Sequence, residues 1–274
     1  MGRPARPGHP GPRPPARRPG VVIDTHVHLD HPDFDPDRET VVARALAAGV
    51  CALLTLGTDG RTSQKAVELA ERFQPVYAAV GIHPTQAHLV GDADRAVVAA
   101  LAGHPKVVAV GECGLDYERG GCPREVQQET LRWHVRLSRA CGKPLVVHNR
   151  GAHQDLLRIL EEEGAVGVVM HMFTGPAEYA ESCAGRGYRM SVGGPVTYLQ
   201  AEELRRAVAR IPDELLLVET DSPFAAPHPH RGRRNEPSYL PLVVEAVASA
   251  RGQDAGAVAE QTAENARRCF DLAR

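Results

Sequence analysis

The chain has 274 residues, 43% hydrophobic and 24% charged, which suits one large α/β domain or two small ones. Its formal net charge of −2 gives no overall basic field to argue for nucleic acid, and no apolar stretch nears the roughly 18 residues that span a bilayer. Basic charge is carried by 29 arginines against three lysines, a bias that makes arginine alone a poor marker of phosphate binding.

Residues 1–20 hold seven prolines, four glycines and five arginines. Such a segment cannot bury a core and is expected to be a disordered tail. It lacks the apolar region of a signal peptide, so export is not expected. The six cysteines (Cys51, Cys113, Cys122, Cys141, Cys183 and Cys269) form no CxxC pair and read as reduced thiols of a cytoplasmic protein.

From residue 21 onward, β-branched runs alternate with amphipathic stretches. Strands are expected over 21–24, 51–56, 76–81, 107–111, 144–148, 166–170, 188–192 and 215–219. Helices are expected over 37–48, 61–73, 92–102, 124–141, 152–163, 176–186, 201–210 and 238–250, with one or two more in 255–273. The strands are apolar rather than alternating, as when both faces of a sheet are covered. Eight alternations without a linker make residues 21–274 a (β/α)₈ TIM barrel with extra C-terminal helices. A doubly wound open sheet also alternates strand and helix, but no GxGxxG pattern follows an early strand here.

Metal-competent side chains stand at the ends of five of these strands: His26 and His28, then Glu112, His148, His171 and Asp221. In a barrel of parallel strands every such end faces one rim, so residues distant in sequence converge. In DTHVHLD (24–30), residues two apart in an extended segment point the same way, placing His26 and His28 on one ion. Asp24 and Asp30 are expected to orient those rings. Glu112, in GECGLDY, has two oxygens and can bridge two cations; Asp116 follows four residues on. His148 (VVHNR) and His171 (VMHMFTG) suggest a second metal position. Asp221 (ETDSP) can bind metal and take a proton from an activated water. Taken singly, each has a bland reading: a surface histidine pair, a solvated glutamate, a satisfied histidine. Their shared position carries the site.

Two further loops belong to the same rim. GIHPT (81–85) brings His83 near the mouth, where no ligand is obviously lacking, more as a substrate contact than in a structural role. HPHRGRRNEPSYL (228–240) carries Arg231, Arg233, Arg234 and Asn235, and three guanidiniums beside a metal site would form an anion clamp.

In this order and spacing, DTHVHLD, GIHP, GECGLDY, VHNR, HMFTG, ETDSPF and HRGRRNEPSY resemble the TatD family of metal-dependent hydrolases, from about Val21 to Phe270. That family is a TIM-barrel branch of the amidohydrolase superfamily whose characterised members are mostly deoxyribonucleases. The resemblance implies that His26, His28 and Asp221 hold one divalent ion and His148 and His171 a second, with Glu112 between them. Zinc, magnesium and manganese all suit such ligands. Two departures from the family pattern touch no expected ligand. Gly151 follows Arg150 where an acidic residue is common, and Thr85 stands where a histidine often follows GxHP. Candidate substrate contacts are therefore His83, Asp116, Arg150, Arg231, Arg233, Arg234 and Asn235, with Asp221 and Glu112 as catalytic groups.

The expected activity is phosphodiester hydrolysis of DNA by a 3′–5′ exonuclease acting on single-stranded ends. In-line attack by water would place its proton on Asp221. The neutral overall charge favours strand ends over extended duplex. The rival enzyme reading is hydrolysis of an amide, lactone or aminoacyl-tRNA ester, and the non-enzyme rival is a metal-binding module. Neither a membrane nor an obligate protein partner is indicated.

Overall fold

A computed structural model describes residues 22–272 of the chain; the tail expected over 1–20 lies outside the described residues. The eight strands are β1 (Val22–Val27), β2 (Val50–Leu56), β3 (Val76–Val80), β4 (Val107–Asp116), β5 (Leu145–Arg150), β6 (Val168–Met170), β7 (Arg189–Val192) and β8 (Leu216–Val218). Each pairs in parallel with the next, in chain order. The helices that return the chain are α1 (Arg38–Ala47), α2 (Gly60–Arg72), α3 (Asp92–Leu101), α4 (Arg124–Cys141), α5 (His153–Glu162), α6 (Ala177–Ala184), α7 (Glu202–Val208) and α8 (Leu240–Arg251). A TIM barrel results, as the alternation implied. The last seam, β8 to β1, is joined just past the strand ends. There Asp221 N–H donates to His26 O and His28 N–H donates to Ser222 O, both at 2.8 Å. Ligand candidates thus form part of the barrel's own closure.

Apolar residues sort into two layers. Ile23, Ala52, Leu54, Leu56, Ala79, Ala109, Val146, Val169 and Leu217 fill the barrel, while a larger cluster lies between the sheet and the helices. Small residues at three interior positions fit the narrow lumen. The stretch expected to hold one or two extra helices is a single one, α9 (Ala255–Phe270). Its Ala263, Ala266 and Phe270 join the barrel's interior cluster, and its Asn265 side chain donates to Asp213 O at 2.6 Å and Leu216 O at 2.8 Å. That placement leaves the opposite rim, where the strands end, as the open mouth.

β4 is the main departure from the expected elements, running on to Asp116 rather than stopping at 111. Its ladder with β5 continues through Gly114↔His148 and Asp116↔Arg150 after an irregularity between Val110 and Cys113. Glu112 is consequently inside its strand, not one residue past it, and His148 lies within β5 rather than at its last position; both inherit the rigidity of the sheet.

Candidate metal centre

At the C-terminal mouth, β1 carries His26, its following turn His28, β4 Glu112, and β5 His148. His171 follows β6, and Asp221 lies three residues past β8. The structure brings these six together at the floor of a cavity of about 880 Å³, five of them lining it and His26 buried directly beneath. Glu112 is at the centre. Its Oε2 lies 3.4 Å from His26 Nε2 and 3.5 Å from His28 Nε2. Its Oε1 lies 3.2 Å from His148 Nδ1 and 3.3 Å from His171 Nε2. Asp221 Oδ1 is 3.5 Å from His28 Nε2 and 3.8 Å from His26 Nε2. Three overlapping triads have donor atoms close enough to share an ion: His26–His28–Asp221, His26–Glu112–His171 and His83–Glu112–His148.

Hydrogen bonds behind three of the rings fix which nitrogen faces inward. His28 Nδ1–H donates to the Leu56 carbonyl at 3.2 Å, and His171 Nδ1–H donates to Glu219 Oε1 at 2.8 Å. His148 uses the other nitrogen: its Nε2–H donates to Asp116 Oδ2 at 3.1 Å. In each case the remaining nitrogen points toward Glu112. A nitrogen facing a buried carboxylate needs a proton or a cation between them, and this is the ring orientation that metal-binding histidines take. The residues present fit divalent cations.

The charge balance agrees. Burial alone would depress the His28 ring, but Asp221 and Glu112 outweigh it and push its pKa up to about 9. Burial likewise opposes protonation of His171, yet Glu219 and Glu112 carry it well above the usual histidine range. Burial would raise the Glu112 carboxyl, but the surrounding His83, His171 and His148 hold it well below the usual range. The cluster is thus a pocket of negative potential that draws in positive charge.

His83 sits closer to the centre than the sequence reading placed it, with Nε2 3.4 Å from Glu112 Oε1. Its Nδ1 accepts from the Thr85 backbone N–H at 3.2 Å and lies 2.8 Å from the Thr85 hydroxyl. The proton is therefore on Nε2, making His83 a hydrogen-bond donor toward the cluster.

Several expectations are corrected. Asp24 orients no ring; it accepts from Thr220 N–H (2.9 Å) and hydroxyl (2.6 Å) and from His26 N–H (3.3 Å). Burial pushes its pKa up to about 7 despite the Thr220 bonds. Nor does Asp30 touch a histidine ring: its carbonyl accepts from Lys65 Nζ at 2.6 Å. Asp116 stands behind His148 rather than facing the cavity openly, because it is fully buried. The arginine loop also lies elsewhere. Arg234 clamps both oxygens of Asp37 at 2.7 and 2.8 Å, and Arg231 covers the Tyr198 ring at 4.5 Å. Arg233 is exposed. Asn235 is buried, donating to Thr220 O at 2.8 Å and Phe224 O at 2.7 Å. None of these four lines the cavity; its basic residues are Arg61, Lys65, Arg119 and Arg150. Arg150 Nε donates to Glu118 Oε2 at 2.9 Å.

Glu219 escaped the sequence reading, although it stands two residues before Asp221 in the same ETDSP stretch. His134 escaped it too. This buried α4 histidine donates from Nδ1 to Thr130 O at 2.7 Å and accepts at Nε2 from Ile82 N–H at 2.9 Å, holding the loop before His83. Burial pushes its pKa down to about 4 from 6.5. The folded chain therefore binds this proton less readily than the unfolded one. The resulting stability is intact above pH 6.5 and lost as pH falls toward 4. The full loss amounts to about 3 kcal/mol. In urea melts from pH 7.5 to 4.5, the gap between wild type and His134→Gln should narrow as pH falls; a constant gap would contradict this role.

Comparison with known proteins gives one family. The family description "TatD related DNase" matches residues 23–271. The chain is 42% identical to the metal-dependent hydrolase YabD of Bacillus subtilis, covering 92% of this chain and 100% of that protein. It is 35% identical to the Escherichia coli K12 3′-5′ ssDNA/RNA exonuclease TatD, with coverages of 92% and 100%. The crystal structure of the TatD homologue YJJV from E. coli superposes with a TM-score of 0.88 at 32% identity, covering 92% of this chain and 99% of that one.

Proposed function

The chain belongs to the TatD family of metal-dependent hydrolases, and from that premise we propose that it is a 3′–5′ exonuclease, cleaving phosphodiester bonds at single-stranded ends with two divalent cations. His26, His28 and Asp221 would hold one ion and His148 and His171 the other. Glu112 would span them, Oε2 toward the first set and Oε1 toward the second. Bound there, divalent ions supply Lewis acidity that acidifies water and offsets phosphoryl charge.

The protein's own groups do the rest. Asp221 keeps a low pKa, because His28, His171 and His26 outweigh the effect of its burial. Its carboxylate is therefore ionised at neutral pH and able to accept the proton of the attacking water. His83 directs an N–H at the same centre and can donate to an anionic oxygen. Arg61 and Lys65, one turn apart on α2, and Arg119 and Arg150 place positive charge along the cavity wall. A mouth closed below by a packed barrel admits a strand end more readily than a continuous duplex. Free cysteines throughout the described residues support a reducing, cytoplasmic setting, and no described helix is long and apolar enough to cross a membrane.

The observation that carries the reading is the convergence of four histidine ring nitrogens on the two oxygens of Glu112. A panel of end-labelled single-stranded DNA, an aminoacyl-tRNA and a simple lactone, each with and without chelator, separates the candidate reactions. Chelator-sensitive release of nucleotides from the 3′ end is expected. Turnover of the ester or lactone with intact DNA would shift the assignment to carboxyl chemistry.

A further inference from the structure

The ETDSPF segment continues past Asp221 to an aromatic ring placed where the core has no use for it. Among the described residues, six large hydrophobic side chains are exposed, and Phe224, at 49%, is the only aromatic. It is also the only one of the six that lines the cavity. Its backbone is nonetheless held firmly. Phe224 N–H donates to Asp221 O at 2.8 Å, Phe224 O accepts from the buried Asn235 side chain at 2.7 Å, and Asn235 N–H donates to Pro223 O at 3.0 Å. Asp221 and Ala225 flank it at φ 56° and 52°, left-handed conformations that non-glycine residues adopt at a cost. The ring meets His31 edge-on at 5.3 Å (81°) and His28 at 5.9 Å (65°). An apolar ring kept in water by a fixed, strained turn beside a polar centre is characteristic of a binding surface rather than of packing.

We propose that Phe224, braced by His31, is the stacking platform for the nucleobase adjoining the phosphodiester at the metal centre, and that it selects an unpaired nucleotide. The inference rests on the nuclease reading above and names how that site chooses its substrate. Every base has a π face, so such a platform tolerates sequence, but only a base free of its partner strand can lie against the ring. Phosphate charge would be met by the cavity's basic residues while the ring takes the base. This division also explains how a chain with net charge −2 holds a nucleic-acid end without an extended basic groove.

The test compares kcat/KM of the metal-loaded enzyme on a short single-stranded oligothymidylate and on the same strand with abasic residues at its 3′ end. Wild type should prefer the base-bearing strand by roughly 5- to 150-fold, the range set by one base–aromatic stack. Phe224→Ala should bring the preference close to one, mainly through KM, and Phe224→Trp should restore it. A preference unchanged in Phe224→Ala overturns the proposal, as does equal use of both strands by wild type. Failure of wild type to cleave either strand is a separate result that overturns the nuclease reading and the platform with it.

Discussion

Replacing Glu112 with alanine should reduce hydrolysis of single-stranded DNA by at least about 10³-fold while leaving the barrel folded. Four histidine nitrogens that belong to candidate ligands lie within 3.5 Å of its two oxygens, two on each side. Removing the carboxylate takes away the one group shared by both halves, and with it the negative charge that offsets two cations. Bound metal should fall toward one equivalent or fewer. Glu112→Gln keeps the shape and loses the charge, so it separates the two contributions. If charge is what matters, it should resemble Glu112→Ala in activity and metal content. Circular dichroism of both variants reports whether the fold survives. A folded Glu112→Ala protein that retains most of its activity would sink the shared-ligand role.

The second large effect concerns the backbone beneath the site. A methyl group on Gly114 would lie 2.0 Å from His148 O and 2.9 Å from two other backbone atoms of the same residue. Backbone on a central barrel strand cannot yield as a flexible side chain can, and the φ of +135° adds strain for any residue with a Cβ. Gly114→Ala should therefore cost about 4–5 kcal/mol, lowering Tm by roughly 10–20 °C. Surviving folded protein should show weakened metal binding, because the displaced strand carries His148. Gly91→Ala serves as the control. Nothing lies within 4 Å of a methyl group there, and the change should cost less than about 1 kcal/mol. A Gly114→Ala protein melting within a few degrees of wild type would contradict the close approach of β4 to β5.

What the sequence disclosed and what it hid divide along range. Apolar runs and the two-residue spacing of His26 and His28 are local signals, and a parallel barrel turns them into convergence at one rim. The continuation of β4 was hidden because Cys113–Asp116 pair with β5 residues more than thirty positions away. The groups that set ring orientation are equally remote: Leu56 for His28 and Glu219 for His171 are 28 and 48 residues distant. Arg234 looked like a phosphate clamp because its partner, Asp37, is 197 residues away in sequence. Clustered arginines read from one loop cannot reveal a carboxylate that another loop brings to them. The cavity's own basic groups, by contrast, are scattered over α2, the turn after β4 and the end of β5, and form no run.

The most direct measurement is a metal titration of chelator-stripped protein in which 3′-labelled single-stranded DNA reports nucleotide release after each addition. Release is expected to stay low through the first equivalent, rise with the second and saturate at two. Saturation at one equivalent, or undiminished release in the presence of chelator, would contradict a paired metal centre built around Glu112.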